Sequence, residues 1–142
     1  MPSTIPQIEL TLPARAENVA VVRHALGALG ETLDIDTGTL SDIKLAITEA
    51  CTNVVVHAYN GDEGPMEIEA SIGPERKLTV VVRDEGRGIA PRPNSPGLGL
   101  GLPLIATLSE TVALGSGEDD CTEVRMTFRL DASDGQRPRR DG

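Results

Sequence analysis

Residues 42–59, DIKLAITEACTNVVVHAY, restrict what this chain can fold into more than any other stretch. Ile43, Ala46, Ile47, Ala50, Cys51, Val54, Val55 and Ala58 recur in alternating steps of three and one, the period of a helix with one face pressed on a core. Such a helix needs a second layer to press on, so the rest of the chain must supply one. It also carries a polar edge: Glu49, Asn53 and His57 occur at intervals of four and share one stripe, with about 6 Å of rise between neighbours. A carboxylate there can accept a hydroxyl proton, and a carboxamide oxygen is a hard ligand suited to Mg²⁺. An ordinary amphipathic helix with a polar edge gives the same pattern, and His57 reads first as a packed or hydrogen-bonded helix residue.

The material for the second layer is aliphatic. With one Phe, one Tyr and no Trp, a core must be built from Val, Leu, Ile and Ala, and 142 residues are one domain's worth. Residues 8–12 (IELTL) alternate like a strand with one buried face, and Pro13 ends it. Residues 14–29 read as a helix with Val19, Val22, Ala25, Leu26 and Leu29 inward, Arg15, Arg23 and His24 on a solvated or partner-facing side, and Gly30 as its stop. Asp36 or Thr37 can cap the central helix, which Asn60-Gly61 ends. Residues 66–72 and 77–84 form a hairpin around Gly73-Pro74-Glu75-Arg76. Residues 90–96 hold three prolines and form a loop, residues 98–108 a helix, and residues 112–114 and 122–130 a closing pair of strands around GSGEDD. The order predicts an α+β two-layer sandwich: an antiparallel, or mixed but mostly antiparallel, sheet with helices on one face. Residues 1–7 form an N-terminal tail, 8–130 the domain, and 131–142, which have nothing apolar to bury, a disordered tail.

Charge and composition exclude several roles. Thirteen Lys and Arg against twenty-two Asp and Glu leave a net charge of −9, which argues against a nucleic-acid or anionic-membrane surface. Cys51 and Cys121 are too few for a disulfide framework or a zinc site. The N-terminal MPSTIPQIEL lacks a basic region before a long apolar run, and no stretch approaches about 18 consecutive apolar residues, so a cytoplasmic protein is expected.

Two further segments carry chemistry. The β-branched run LTVVVRD ends at Asp84 and opens into Glu85-Gly86-Arg87-Gly88-Ile89, and Gly97, Gly99 and Gly101 alternate with apolar residues ahead of the next apolar run. Glycine pairs often mark turns alone, and GxGxG before a helix also opens dinucleotide folds. Here the glycines come after a proline-rich loop instead of an apolar strand, which removes the dinucleotide reading. A helical ExxxN, a strand-end DxGxGI and a GxGxG, in that order within one domain, resemble the three nucleotide-binding boxes of the GHKL ATPase superfamily, to which gyrase B, the histidine kinases and MutL belong. The run Glu49-Ala50-Cys51-Thr52-Asn53-Val54-Val55-Val56-His57-Ala58-Tyr59, with GLGLGLPLI further on, is similar to the form found in its small single-domain branch, the anti-sigma-factor serine kinases. A histidine kinase would carry an upstream dimerisation helix, for which the chain has no room.

That resemblance, which spans residues 8–130, implies the Bergerat sandwich and a site for ATP and Mg²⁺. Asp84 would accept from the exocyclic amine of adenine, and Gly86 and Gly88, lacking a Cβ, would let the flat base approach the backbone. Gly97, Gly99 and Gly101 would turn backbone N–H groups towards phosphate oxygens at a helix start. Asn53 would hold Mg²⁺, and Glu49 would be the catalytic base. Superfamily members often place a Thr after a glycine at the late strand to join the adenine site; Thr122 takes that place after Cys121. No residue for the γ-phosphate is assignable. The implied function is a serine/threonine kinase that phosphorylates an anti-anti-sigma protein and sequesters a sigma factor, often as a homodimer. The alternative is a nucleotide-dependent sequestering module that transfers no phosphate.

Overall fold

The central helix presses on an antiparallel sheet. The computed structural model describes residues 6–59, 63–86, 98–116 and 122–130. The elements are β1 (Pro6–Pro13), α1 (Ala16–Thr32), α2 (Thr37–Asn53), β2 (Pro65–Gly73), β3 (Lys77–Asp84), α3 (Leu98–Leu108), β4 (Thr111–Ser116) and β5 (Thr122–Arg129). The strands form one sheet in the order β1-β2-β3-β5-β4, and every pairing is antiparallel. The predicted loop at 90–96, most of the GSGEDD turn, Asn60-Gly61, Gly88, Gly97, Cys121 and the tail at 131–142 lie outside the described residues.

Alternation along the strands explains the layering. Met66, Ile68 and Ala70 on β2, Leu78, Val80 and Val82 on β3, and Val124, Met126 and Phe128 on β5 are buried on one face. Against that face α2 lays Ile43, Ala46, Ile47, Ala50 and Cys51, α1 adds Val22 and Leu26, and α3 adds Ile105. Burying each large aliphatic side chain of this layer contributes about 1.5–3 kcal/mol. The opposite face carries charge. Arg83 of β3 lies 3.1 Å from Glu69 of β2 and 3.1 Å from Glu123 of β5, an ion-paired rung across three strands.

Several boundaries differ from the sequence reading: β1 begins at Pro6, α1 at Ala16, and β4 runs Thr111–Ser116 into the expected turn, while three further differences have a local reason. Helix α1 runs past Gly30 to Thr32, so Gly30 is no stop. It is buried where α1 crosses α2, and a Cβ there would stand 2.5 Å from Leu40 Cδ2. The chain leaves α1 instead through Asp34 in the left-handed region (φ 57°). The α-helical part of the central helix ends at Asn53, and Val54–Ala58 continue it as a π-helical turn. Three consecutive valines disfavour the tighter α-turn, because branching at Cβ restricts χ1 against the preceding turn. Pro13 belongs to β1, an edge strand, where its missing N–H leaves the ladder intact.

Asp36 caps α2 as expected, its Oδ2 accepting from the N–H groups of Gly38 at 3.0 Å and Thr39 at 3.1 Å. Asp36→Ala removes that acceptor and should lower the unfolding free energy by about 1 kcal/mol in urea titration. An unchanged midpoint would show that α2 is held by packing alone.

Candidate active site

Among the described residues only two polar side chains are buried in the aliphatic interior, Asn53 (7% exposed) and Asp84 (2% exposed). Both are residues the sequence singles out. Asn53 closes the α-helical part of α2, and no side-chain hydrogen bond engages its carboxamide among the described residues. Glu49, one turn earlier, is half-buried, and Thr52 beside them is exposed. The two sides of the site belong to different layers: Glu49 and Asn53 come from the helix, Asp84 from the sheet.

Asp84 is the last residue of β3, on the helix-facing side. Its Oδ1 accepts from Gly86 N–H at 2.9 Å, which folds the chain sharply after the strand. The second oxygen is left for another donor. Burial pushes the Asp84 carboxyl up from its ordinary value, and the Gly86 N–H offsets part of that. Thr122 stands directly opposite Asp84 in the β3–β5 register, half-buried on the same face, so strand pairing alone brings these two predicted residues together.

The layers meet where the π-helical turn passes the end of β3. A Cβ on Gly86 would overlap the carbonyl oxygen of Ala58, so only glycine permits this approach. Tyr59, immediately after the turn, donates from its hydroxyl to Pro65 O (2.5 Å) and accepts from Glu85 N–H (2.8 Å). Its ring fills the space that a Cβ on Gly64 would occupy. The sequence reading gives Tyr59 no role of its own. Its signal is nonetheless there: it is the chain's single tyrosine, at the end of the reactive helix.

The third box opens α3. Gly99 lies in the first turn of Leu98–Leu108 and Gly101 shortly beyond, inside the helix instead of ahead of it. The first four N–H groups of a helix have no intrahelical partner and carry its positive dipole end, so the turn containing Gly99 can face an anion. Pro103 sits within α3 and supplies no N–H to the carbonyl of Gly99. Helix α3 packs against α2, which brings the third box to the same helical layer as the first. Gly88 and Gly97 lie outside the described residues. His57 is half-buried on the π-helical turn, and Cys51 is fully buried, its thiol pushed up to about 12 by burial, which makes it unreactive. Arg15 pairs with Glu63 at 2.7 Å, while Arg23 and His24 line an open groove of about 790 Å³ between α1 and α2.

An open antiparallel sheet with helices on one face, and polar groups buried where α2 meets β3, is the architecture of an ATP-binding sandwich. Residues 12–128 match the model of the histidine kinase-like ATPase domain. The chain is 34% identical to the serine-protein kinase RsbW of Bacillus thuringiensis strain Al Hakam, over 85% of this chain and 83% of that protein. It is 32% identical, with the same coverage, to RsbW of Bacillus anthracis strain A0248. Among solved structures, that of the RsbU and RsbW domains of Rv1364c from Mycobacterium tuberculosis superposes with a TM-score of 0.71 at 26% identity, covering 89% of this chain and 33% of that one. The chain thus spans about a third of that solved chain. A blue-light activated histidine kinase of Erythrobacter litoralis superposes with a TM-score of 0.60 at 25% identity over 70% of this chain and 33% of that one. The chain belongs to the histidine kinase-like ATPase family, in the branch of the anti-sigma serine-protein kinases.

Asp84 makes the apo protein's stability depend on pH. A carboxyl with its pKa raised in the folded state contributes stability that is fully present below its unfolded value, near 3.8, and lost as pH rises through the folded value. Asp84→Asn keeps an acceptor for Gly86 N–H and removes the charge. It should raise the denaturant midpoint of the nucleotide-free protein at neutral pH, with the advantage shrinking as pH falls through the raised folded value and gone below about 3.8. Equal midpoints at pH 7 would mean that the carboxylate is compensated where it stands.

Proposed function

We propose that the chain is an ATP- and Mg²⁺-dependent protein serine/threonine kinase of the cytoplasm that phosphorylates an anti-anti-sigma protein and, as a homodimer, sequesters a sigma factor. The observation that carries the reading is the burial of Asn53 and Asp84, and of no other polar residue described, in an otherwise aliphatic interior. Burying a carboxylate and a carboxamide in an aliphatic interior is costly unless they are hydrogen-bonded, and a ligand that reaches them can supply the bonds the protein does not. The names of the relatives support protein-serine transfer.

Asp84 accepts from the exocyclic amine of adenine with the oxygen that Gly86 leaves free, and Thr122 lines the same end of the sheet. Gly86 lets the chain turn against Ala58 beside the base site, and Gly88 is assigned to that site from the sequence alone. The first turn of α3, which contains Gly99, holds phosphate oxygens with backbone N–H groups, and Gly97 and Gly101 are assigned to the same box from the sequence. Asn53, whose carboxamide makes no side-chain hydrogen bond among the described residues, would hold Mg²⁺ beside the phosphates. When bound, the ion would supply positive charge to phosphates held by an acidic protein, whose net charge is −9.

Glu49 faces the incoming serine. The serine oxygen forms a bond to the γ-phosphorus as the bond from that phosphorus to the ADP oxygen breaks, and the hydroxyl proton passes to the Glu49 carboxylate. Phosphoryl transfer depends mostly on positioning and charge neutralisation, so Glu49 chiefly orients the hydroxyl and takes its proton late.

Glu49→Ala should reduce transfer of γ-labelled phosphate to the anti-anti-sigma protein by about 10²–10⁴-fold while leaving ATP affinity nearly unchanged. Undiminished transfer would remove the base assignment, and tight ATP binding with no transfer even by the wild type would leave a sequestering module without kinase activity. Asn53→Ala should weaken ATP binding in Mg²⁺ more than in a chelator; equal weakening in both would dismiss the metal role.

A further inference from the structure

Among the described residues, Tyr59 is the side chain that ties together the three segments framing Asp84. It comes directly after the π-helical turn of the central helix, its hydroxyl donates to Pro65 O at the start of β2, and it accepts from Glu85 N–H just after β3. The peptide it holds is the one joining Asp84 to Glu85. The next N–H, that of Gly86, is held by Asp84 itself. Backbone and side chain of this acid are therefore fixed from both ends, Tyr59 on one and the Asp84–Gly86 turn on the other. Gly86 has already come against the Ala58 carbonyl, which leaves no room for another side chain at that point. The ring is itself seated over Gly64, so the hydroxyl is held at a fixed height above the sheet.

We propose that Tyr59 is a positioning residue for nucleobase selectivity: its hydroxyl sets the orientation of Asp84 and so decides between a purine that offers an exocyclic amine and one that does not. This rests on the reading of Asp84 as the adenine acceptor. Tyr59 does not touch the base. It acts through the Glu85 N–H, and the π-helical turn is what brings it into reach, since widening the last turn shifts every residue after it relative to α2.

The test compares ATP with inosine triphosphate, which presents a carbonyl where adenine has its amine, by calorimetry on wild type, Tyr59→Phe and Asp84→Asn. The wild type should prefer ATP and Asp84→Asn should lose the preference. Tyr59→Phe keeps the ring over Gly64 and should reduce the ATP-to-inosine preference about tenfold, the scale of one well-aligned hydrogen bond. Its affinity for inosine triphosphate should stay unchanged. A role confined to stability would weaken both nucleotides alike and leave their ratio intact, which overturns the proposal. If the wild type shows no preference, the base-site reading of Asp84 fails first. If the wild type discriminates, Asp84→Asn does not, and Tyr59→Phe still does, the positioning role alone fails.

A second readout needs no substitution. Tyr59 is the chain's only tyrosine and there is no tryptophan, so ultraviolet-excited protein emission reports this side chain alone. ATP should change that emission with the calorimetric midpoint, and inosine triphosphate should change it less. Identical responses to the two, or none, would contradict coupling between Tyr59 and the base site.

Discussion

A carboxylate in an aliphatic interior is stable only if something keeps drawing on its charge, and Asp84 is such a group. It ends a central, largely buried strand of the sheet, on the face packed by helices, with a single backbone N–H bound to it. Burial raises its pKa, and the Gly86 N–H offsets part of that. Much of the surrounding architecture serves to keep this acid in place. Strand pairing sets Thr122 opposite it, Gly86 turns the chain beneath the Ala58 carbonyl, and Tyr59 ties the three segments around it.

The second constraint is that the site is shared between layers. The sheet carries the group proposed for the base, and the helices carry those proposed for metal, phosphates and acceptor hydroxyl. Their alignment is set at the single junction where the central helix ends. A π-helical turn at that point is informative, because the extra residue in its wider turn re-aims the residues beyond it without disturbing the packed turns before it. The earlier turns are locked by Ile43, Ala46, Ile47 and Ala50, each at most 1% exposed, and cannot adjust.

Most of the fold was legible because its signals are periodic. Every apolar residue named for the central helix is buried except Val55, which is half-buried, and residues 77–84 and 98–108 are a strand and a helix at the bounds that alternation and apolar content indicate. Asn53 and Asp84 were legible as chemistry because a polar residue at an otherwise apolar boundary stands out. The features that escaped have no period. Gly30 reads as a helix stop, and only the crossing of α1 over Leu40 explains it as a point of close approach. The π-helical turn is a change of pitch that an apolar pattern sampled over one turn does not register. Tyr59 works through backbone groups of Glu85 and Pro65, whose identities in sequence carry no mark of that contact.

On the proposed reading, Asp84 and Asn53 are buried together because one nucleotide completes both. The sharpest test is amide chemical-shift mapping of the isotopically labelled protein titrated with ATP and Mg²⁺. The largest shifts should fall on Asp84, Glu85, Gly86, Asn53, Thr122 and the first turn of α3, saturating together with one midpoint. Shifts confined to the groove between α1 and α2, or an unchanged spectrum at saturating nucleotide, would mean that the buried polar pair serves the fold alone.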